Sequence, residues 1–138
     1  MLNAQYQYKL VEAGCDEVGR GCIAGPVVAA AVILPPDYKN KSIIDSKRLS
    51  HKKRKEVGQE IIDNATSWSI SEVSNNKIDE INILNASILA MHRSLDKLKV
   101  RPEFIIVDGN KFNPYKKISH ECIIKGDNKF QNIAAASI

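Results

Sequence analysis

The sequence predicts an α/β fold with a mixed β-sheet flanked by helices. Three observations lead there. Short apolar runs closed by Pro or Gly alternate with longer stretches of helical periodicity. The elements read in the order β, β, α, β, α, β, β, α, which favours a sheet with both parallel and antiparallel neighbours. The length of 138 residues, 43% apolar and 26% charged, suits one domain over residues 1–138 with a proper core.

Leu10 to Cys15 reads as a first strand leading into two adjacent acids, Asp16 and Glu17, and a Gly19-Arg20-Gly21 turn. Val27 to Leu34 is short, apolar and partly β-branched, and Pro35-Pro36 stops it, so it reads as a buried strand. Ser50 is a suitable N-cap for a helix running to about Asn64. Its first turn, HKKRK (His51 to Lys55), is basic and opposes the helix dipole. Those charges read equally as a nucleic-acid contact and as a solvated helix face. Thr66 to Val73 alternates as a half-buried strand should.

Ile81, Leu84, Ile88, Met91, Leu95 and Leu98 follow 3-4-3-4-3 spacing and predict a helix whose stripe faces the core, with His92 off the stripe and on the surface. Glu103 to Val107 reads as a strand ending at Asp108-Gly109. Glu121 to Lys125 reads as another, ending at Gly126-Asp127. A small-residue helix, NIAAASI, opens after it.

Composition removes some classes of function. No apolar run is long enough to span a bilayer, and the N-terminus lacks a basic segment followed by an apolar one. Cys15, Cys22 and Cys122 form no CxxC pair and fit buried thiols in a reducing compartment, so the cytoplasm is expected. Net charge is +4, mildly basic, with lysines crowding the last third of the chain.

The acids fall in a pattern. Asp16 and Glu17 close the first predicted strand, Asp108 closes a central one, and Asp127 lies just past a third. Strand ends are where α/β sheets build sites. Four carboxylates gathered there repel one another unless a cation neutralises them. An all-oxygen anionic set suits Mg²⁺ or Mn²⁺, and there is no His/Cys cluster to favour zinc. Two such ions held together are a phosphoryl-transfer device that needs no protein nucleophile. Taken singly, each acid also reads as a turn residue, a helix cap or an exposed loop residue.

The motifs DEVGRGCIAGPVVAAAVIL, DSKRLS, IDEINILNASILAMHRSL, FIIVDGNKF and IKGDNKFQNIAAASI occur in this order. Together they resemble bacterial ribonuclease HII, the type 2 ribonuclease H, over nearly the whole chain from Val11 onward. The resemblance implies a ribonuclease H-like fold and a metal-dependent endonuclease. Such an enzyme cuts the RNA strand of RNA–DNA hybrids and single ribonucleotides embedded in duplex DNA, leaving a 3′-hydroxyl and a 5′-phosphate. It assigns Asp16, Glu17, Asp108 and Asp127 as catalytic residues holding two Mn²⁺ or Mg²⁺ ions. It assigns Gly19, Arg20 and Gly21 to reading the 2′-hydroxyl, where glycines let the backbone approach. Ser46 and Lys47 are expected on a phosphate, with Asp45 orienting the glycine turn. Strand pleating further predicts that one of Asp16 and Glu17 enters the site directly and the other indirectly.

The family pattern continues past the AAASI helix through a basic segment to a C-terminal tyrosine, which Tyr115 does not match. The chain is therefore expected to be a truncated form, monomeric at full length and open to self-association when short. The competing reading is an inactive fragment that binds nucleic acid without cleaving it. A nucleotide-binding domain using Gly19-Arg20-Gly21 as a phosphate loop is disfavoured, because neither GxGxxG nor GxxxxGK[ST] is present.

Overall fold

The computed structural model describes residues 2–18, 26–44 and 46–138. Five strands, β1 (Glu12–Val18), β2 (Val27–Ile33), β3 (Ser67–Val73), β4 (Phe104–Asp108) and β5 (Ser119–Ile123), form one sheet in the order β3-β2-β1-β4-β5. β1 pairs antiparallel with β2, and β2 antiparallel with β3. β1 pairs parallel with β4, and β4 parallel with β5. The sheet is mixed, with β1 at its centre. The parallel register sets the C-terminal ends of β1 and β4 side by side, Cys15 opposite Val107.

Four helices cover the sheet: α1 (His51–Asn64), α2 (Asn75–Ile81), α3 (Ile83–Lys97) and α4 (Gln131–Ser137). The two faces of β2 explain how they pack. Ala29 and Ala31 point into a core shared with Ala86, Ala90, Met91 and Leu95 of α3. Ala30 and Val32 point the other way, into a core shared with Val57 and Ile61 of α1 and Ala134 to Ala136 of α4. A strand rich in alanine lets helices approach on both sides. Ser94 of α3 lies close enough to donate a hydrogen bond to the β2 carbonyl of Ala29 (3.0 Å) and also reaches Ala90 (3.1 Å).

α4 sits on β1 through a close backbone approach. A Cβ on Gly14 would lie 2.6 Å from the carbonyl carbon of Asn132 and 2.7 Å from the nitrogen of Ile133. Beside this contact, the buried Glu12 carboxylate accepts hydrogen bonds from Asn132 Nδ2 (2.8 Å) and the backbone nitrogens of Tyr6 (2.8 Å) and Gln7 (3.1 Å). One carboxylate thus fastens the N-terminal segment, the central strand and the last helix.

Four expectations are corrected. β1 runs on through Val18, so Asp16 and Glu17 lie within the strand and not after it. The apolar stripe belongs to two helices, because Asn82 breaks the backbone at φ 72° and its side chain accepts from the Asn85 nitrogen to cap α3. β5 lies two residues earlier than expected, since Lys125 takes a left-handed conformation and starts a short 3₁₀ turn, Gly126–Asn128. His92 is half-buried, its ring edge-on to Phe112 and Tyr115 and its Nε2 3.0 Å from the Asn113 carbonyl.

β3 is an edge strand, and two of its outward carbonyls are occupied. Lys97 and Arg93, one helical turn apart on α3, donate to the carbonyls of Ile70 (3.1 Å) and Glu72 (3.3 Å). Among the described residues no helix is long and apolar enough to cross a membrane.

Candidate metal centre

Asp16, Asp108 and Asp127 come together at the C-terminal ends of β1 and β4. Each offers a carboxylate oxygen, and these oxygens all lie within 4.8 Å of one another. Three elements bring them there. Asp16 is carried by the central strand and is 5% exposed. Asp108 is the last residue of β4. Asp127 sits buried in the 3₁₀ turn between β5 and α4.

Backbone donors orient two of the three. Oδ1 of Asp16 accepts from the Glu17 nitrogen (2.9 Å), and Oδ1 of Asp108 from the Gly126 nitrogen (2.7 Å). Such bonds favour the ionised carboxylate. For Asp16 they are outweighed. Burial, first, and then the neighbouring Asp108, Glu17 and Asp127 push its carboxyl up to about 10. Without a positive partner this residue is protonated at neutral pH. The donor set is anionic, all-oxygen and convergent. It therefore fits a hard divalent cation and does not fit zinc in a thiolate or imidazole site.

Glu17 is not a member of this group. The pleat separates it from Asp16: Asp16 pairs with Ala30, which faces α4, and Glu17 with Ala29, which faces α3. Glu17 instead lines a cleft on the α3 side together with Asp108. The neighbouring Cys15 is fully buried, and its thiol is pushed up by burial and by Asp16, so it is held as an unreactive core residue.

Ser46 and Lys47 open the 3₁₀ turn Ser46–Arg48 ahead of α1, Ser46 half-buried and Lys47 exposed. Gly19, Arg20, Gly21, Cys22 and Asp45 lie outside the described residues. The HKKRK residues are all exposed on α1, where Ser50 caps the helix by accepting from the Lys53 nitrogen (3.1 Å).

Sequence reasoning missed three supports of this site. Gly126 supplies the N–H that fixes Asp108, Glu12 ties β1 to α4, and Gly14 lets α4 approach. Only Gly14, a glycine inside a strand, carried a signal of close backbone approach.

A mixed sheet with carboxylates gathered at the ends of its central strands defines a domain of the ribonuclease H fold. Solved structures agree: ribonuclease H2 from Pyrococcus horikoshii OT3 superposes with a TM-score of 0.79 at 24% identity, over 91% of this chain and 68% of that one. RNase HII from Archaeoglobus fulgidus, solved in a complex with PCNA, gives 0.71 at 27% identity over 93% of this chain and 69% of that one.

The family model described as Ribonuclease HII matches residues 13–138, and the chain belongs to that family of endoribonucleases. It is 59% identical over its full length to ribonuclease HII of Christiangramia forsetii and spans 69% of that protein. It is 57% identical over 128 residues to that of Parabacteroides distasonis, covering 93% of this chain and 64% of the relative.

Proposed function

We propose that this chain hydrolyses the RNA strand of RNA–DNA hybrids, and cuts at single ribonucleotides in duplex DNA, leaving a 3′-hydroxyl and a 5′-phosphate. The observation that carries this reading is the convergence of Asp16, Asp108 and Asp127 around a position that calls for positive charge. These three would hold two divalent ions, Mn²⁺ or Mg²⁺, with Glu17 completing the set from the other face of β1. Bst-RNase HIII, which shares the fold, has been solved in complex with Mn²⁺. When bound, a pair of divalent ions supplies an activated water and stabilises the leaving oxygen.

The remaining work falls to the chain. Asp16, the most buried of the three, would give up its proton as the site fills. Asp108 stays aligned because the Gly126 N–H holds one of its oxygens. Asp127 rides on the turn that Gly126 begins, so its position is tied to Asp108. The low-dielectric wall of Ala30 and α4 keeps water from screening these charges. Gly19, Arg20 and Gly21 are proposed to read the 2′-hydroxyl, and Ser46 and Lys47 to bind the phosphate backbone.

The test is a cleavage assay on a DNA duplex carrying one ribonucleotide and on a long RNA–DNA hybrid, with Mg²⁺, Mn²⁺ or EDTA. Metal-dependent cuts 5′ of the ribonucleotide support the reading in full. Cuts in the long hybrid alone restrict it. Metal-independent binding with no cutting of either substrate leaves only a nucleic-acid binder.

A further inference from the structure

Parallel strands are usually joined by a helical crossover of roughly a dozen residues or more. β4 and β5 are parallel, yet an irregular segment, residues 109–118, joins them. β5 is also the edge strand on that side, paired with β4. What holds this segment matters to the acid trio. Asp108 comes immediately before it, and β5 leads from it into the turn that bears Asp127.

Tyr115 holds it. The side chain is 3% exposed, in the core that α3 shares with the sheet, and its ring meets that of His92 on α3 edge-on at 5.1 Å. Its hydroxyl donates to Oδ1 of Asp96 in the last turn of α3. Arg101 fixes the same corner. Its Nη1 donates to the Tyr115 hydroxyl (3.4 Å), and its Nη2 to the carbonyls of Leu95 (3.1 Å), Asp96 (3.0 Å) and Leu98 (3.0 Å). A cation is thereby placed on the negative end of the helix. The Tyr115 carbonyl accepts from the Ile118 nitrogen (3.1 Å), and the chain enters β5 at the next residue.

The hydroxyl is the informative part. A bare phenyl ring would fill the same space in the core. A hydroxyl bonded to a carboxylate oxygen is satisfied only within a narrow range of distance and angle, and so at one height along α3. α3 also walls the cleft that Glu17 and Asp108 line, through Ile88 and Met91. The helix thus meets the segment near Asp108 and grips it again at Tyr115, ahead of β5. The Asp127 turn hangs from Asp108 through Gly126 and from β5 through the chain. A slip of the segment along α3 therefore moves both acids relative to Asp16.

We propose that Tyr115 is a positioning residue for the metal centre. Its bond to Asp96 sets the height of the β4–β5 connection on α3, and with it the spacing of Asp108 and Asp127 from Asp16. This rests on the trio holding divalent ions, as in the nuclease reading above.

The experiment titrates Mn²⁺ by calorimetry into wild type, Tyr115→Phe, Asp96→Ala, their double variant, Asp96→Asn and Ile33→Val, and measures kcat at saturating Mn²⁺. Tyr115→Phe keeps the ring, so the fold survives. Ile33→Val is the control for lost stability, in the core at the opposite end of the sheet from the acids. Tyr115→Phe and Asp96→Ala should each weaken Mn²⁺ binding by about tenfold, the low end for residues that support metal ligands, with kcat unchanged. The double variant should be no worse than either, because the two act as a pair. Asp96→Asn keeps an acceptor for the hydroxyl and should restore affinity, and Ile33→Val should not alter it. In EDTA, the Gly126 amide should lose exchange protection in Tyr115→Phe. A Tyr115→Phe protein with wild-type Mn²⁺ affinity overturns the assignment. So do losses that add in the double variant, or an equal loss in Ile33→Val. Unchanged protection of Gly126 overturns the route through Asp108. A wild type that binds Mn²⁺ but never cuts removes the nuclease reading, and the calorimetry still decides the role of Tyr115. A wild type that takes up no Mn²⁺ overturns both.

Discussion

The backbone N–H of Gly126 donates to Oδ1 of Asp108 across 2.7 Å, so the turn that carries Asp127 hangs from the acid at the end of β4. Two ligand candidates from different elements are thereby held as one unit, before any cation is present.

Replacing Asp108 by Asn keeps an oxygen for Gly126 and removes the charge. Cleavage should be lost almost completely, while the metal-free melting temperature should stay level or rise, because one of the repelling carboxylates is gone. Asp108→Ala should behave differently: it leaves a buried N–H without its acceptor, at a cost of about 1–3 kcal/mol. Thermal melts in EDTA beside turnover with Mn²⁺ separate the two effects. An Asp108→Asn protein with normal turnover would remove Asp108 from the site.

Asp16 predicts how metal-free stability varies with pH. Its carboxyl is pushed up to about 10 in the fold, from an ordinary value of 3.8. Between those values the folded state holds the proton and the unfolded chain does not. Its contribution to stability is therefore complete below about pH 4 and is lost as pH rises toward 10. In EDTA, the melting temperature should fall between pH 6 and 9, and Asp16→Asn should flatten that fall. Divalent ions favour the anion, so the rise in melting temperature on adding Mn²⁺ should grow with pH. An Asp16→Asn protein with an unchanged slope would place the titration elsewhere.

Gly14→Ala should be severe for a strand substitution. Its Cβ would meet backbone atoms of α4 at 2.6–2.8 Å, and backbone cannot rotate away as a side chain can. Overpacking of this kind costs about 1–3 kcal/mol or more. Urea unfolding measures that loss. Cation affinity should drop alongside it, since α4 follows directly from the turn bearing Asp127.

Glu12→Gln tests the clamp at the other end of β1. An amide nitrogen would then face donors from Tyr6, Gln7 or Asn132. The expected loss is about 1–3 kcal/mol, read in the same urea experiment.

The sheet face beside α1 and α4 leaves Trp68 42% and Ile70 54% exposed over a groove of about 460 Å³ that ends at Ile138. Contiguous apolar surface of this kind associates or takes up apolar dye. Wild type should bind an anilinonaphthalene dye and sediment with concentration-dependent mass, and Ile70→Lys should reduce both. Association by strand pairing at β3 is opposed by Arg93 and Lys97, which already occupy its outward carbonyls at Glu72 and Ile70.

Much of this was legible in the residues. β2 ends within one residue of the reading from its apolar run, and α1 spans His51–Asn64 as the reading from its Ser50 N-cap expected. Three of the four acids singled out by their strand-end positions bring carboxylate oxygens within 4.8 Å of one another. The misses have local causes. Ile81 stays packed on the core across the break at Asn82, so the stripe runs on where the backbone does not. β5 is an edge strand with no buried residue, and Ile124 beyond it is 62% exposed, so apolar content misplaced its end. Glu17 is a different case: it stands apart from the trio, across the pleat from Asp16, as the reading of one direct and one indirect acid expected.

The parallel pairing of β1 with β4 has a consequence for biosynthesis. The central strand leaves the ribosome early, yet its β4 neighbour, the Asp127 turn and α4 all come from the last third of the chain. A nascent chain therefore carries Asp16 with one flank of β1 and its α4 face uncovered, and cannot assemble the acid trio. Cation capture becomes possible only after Asp127 and the first residues of α4 have emerged, so metal affinity reports on whether synthesis of this region is finished.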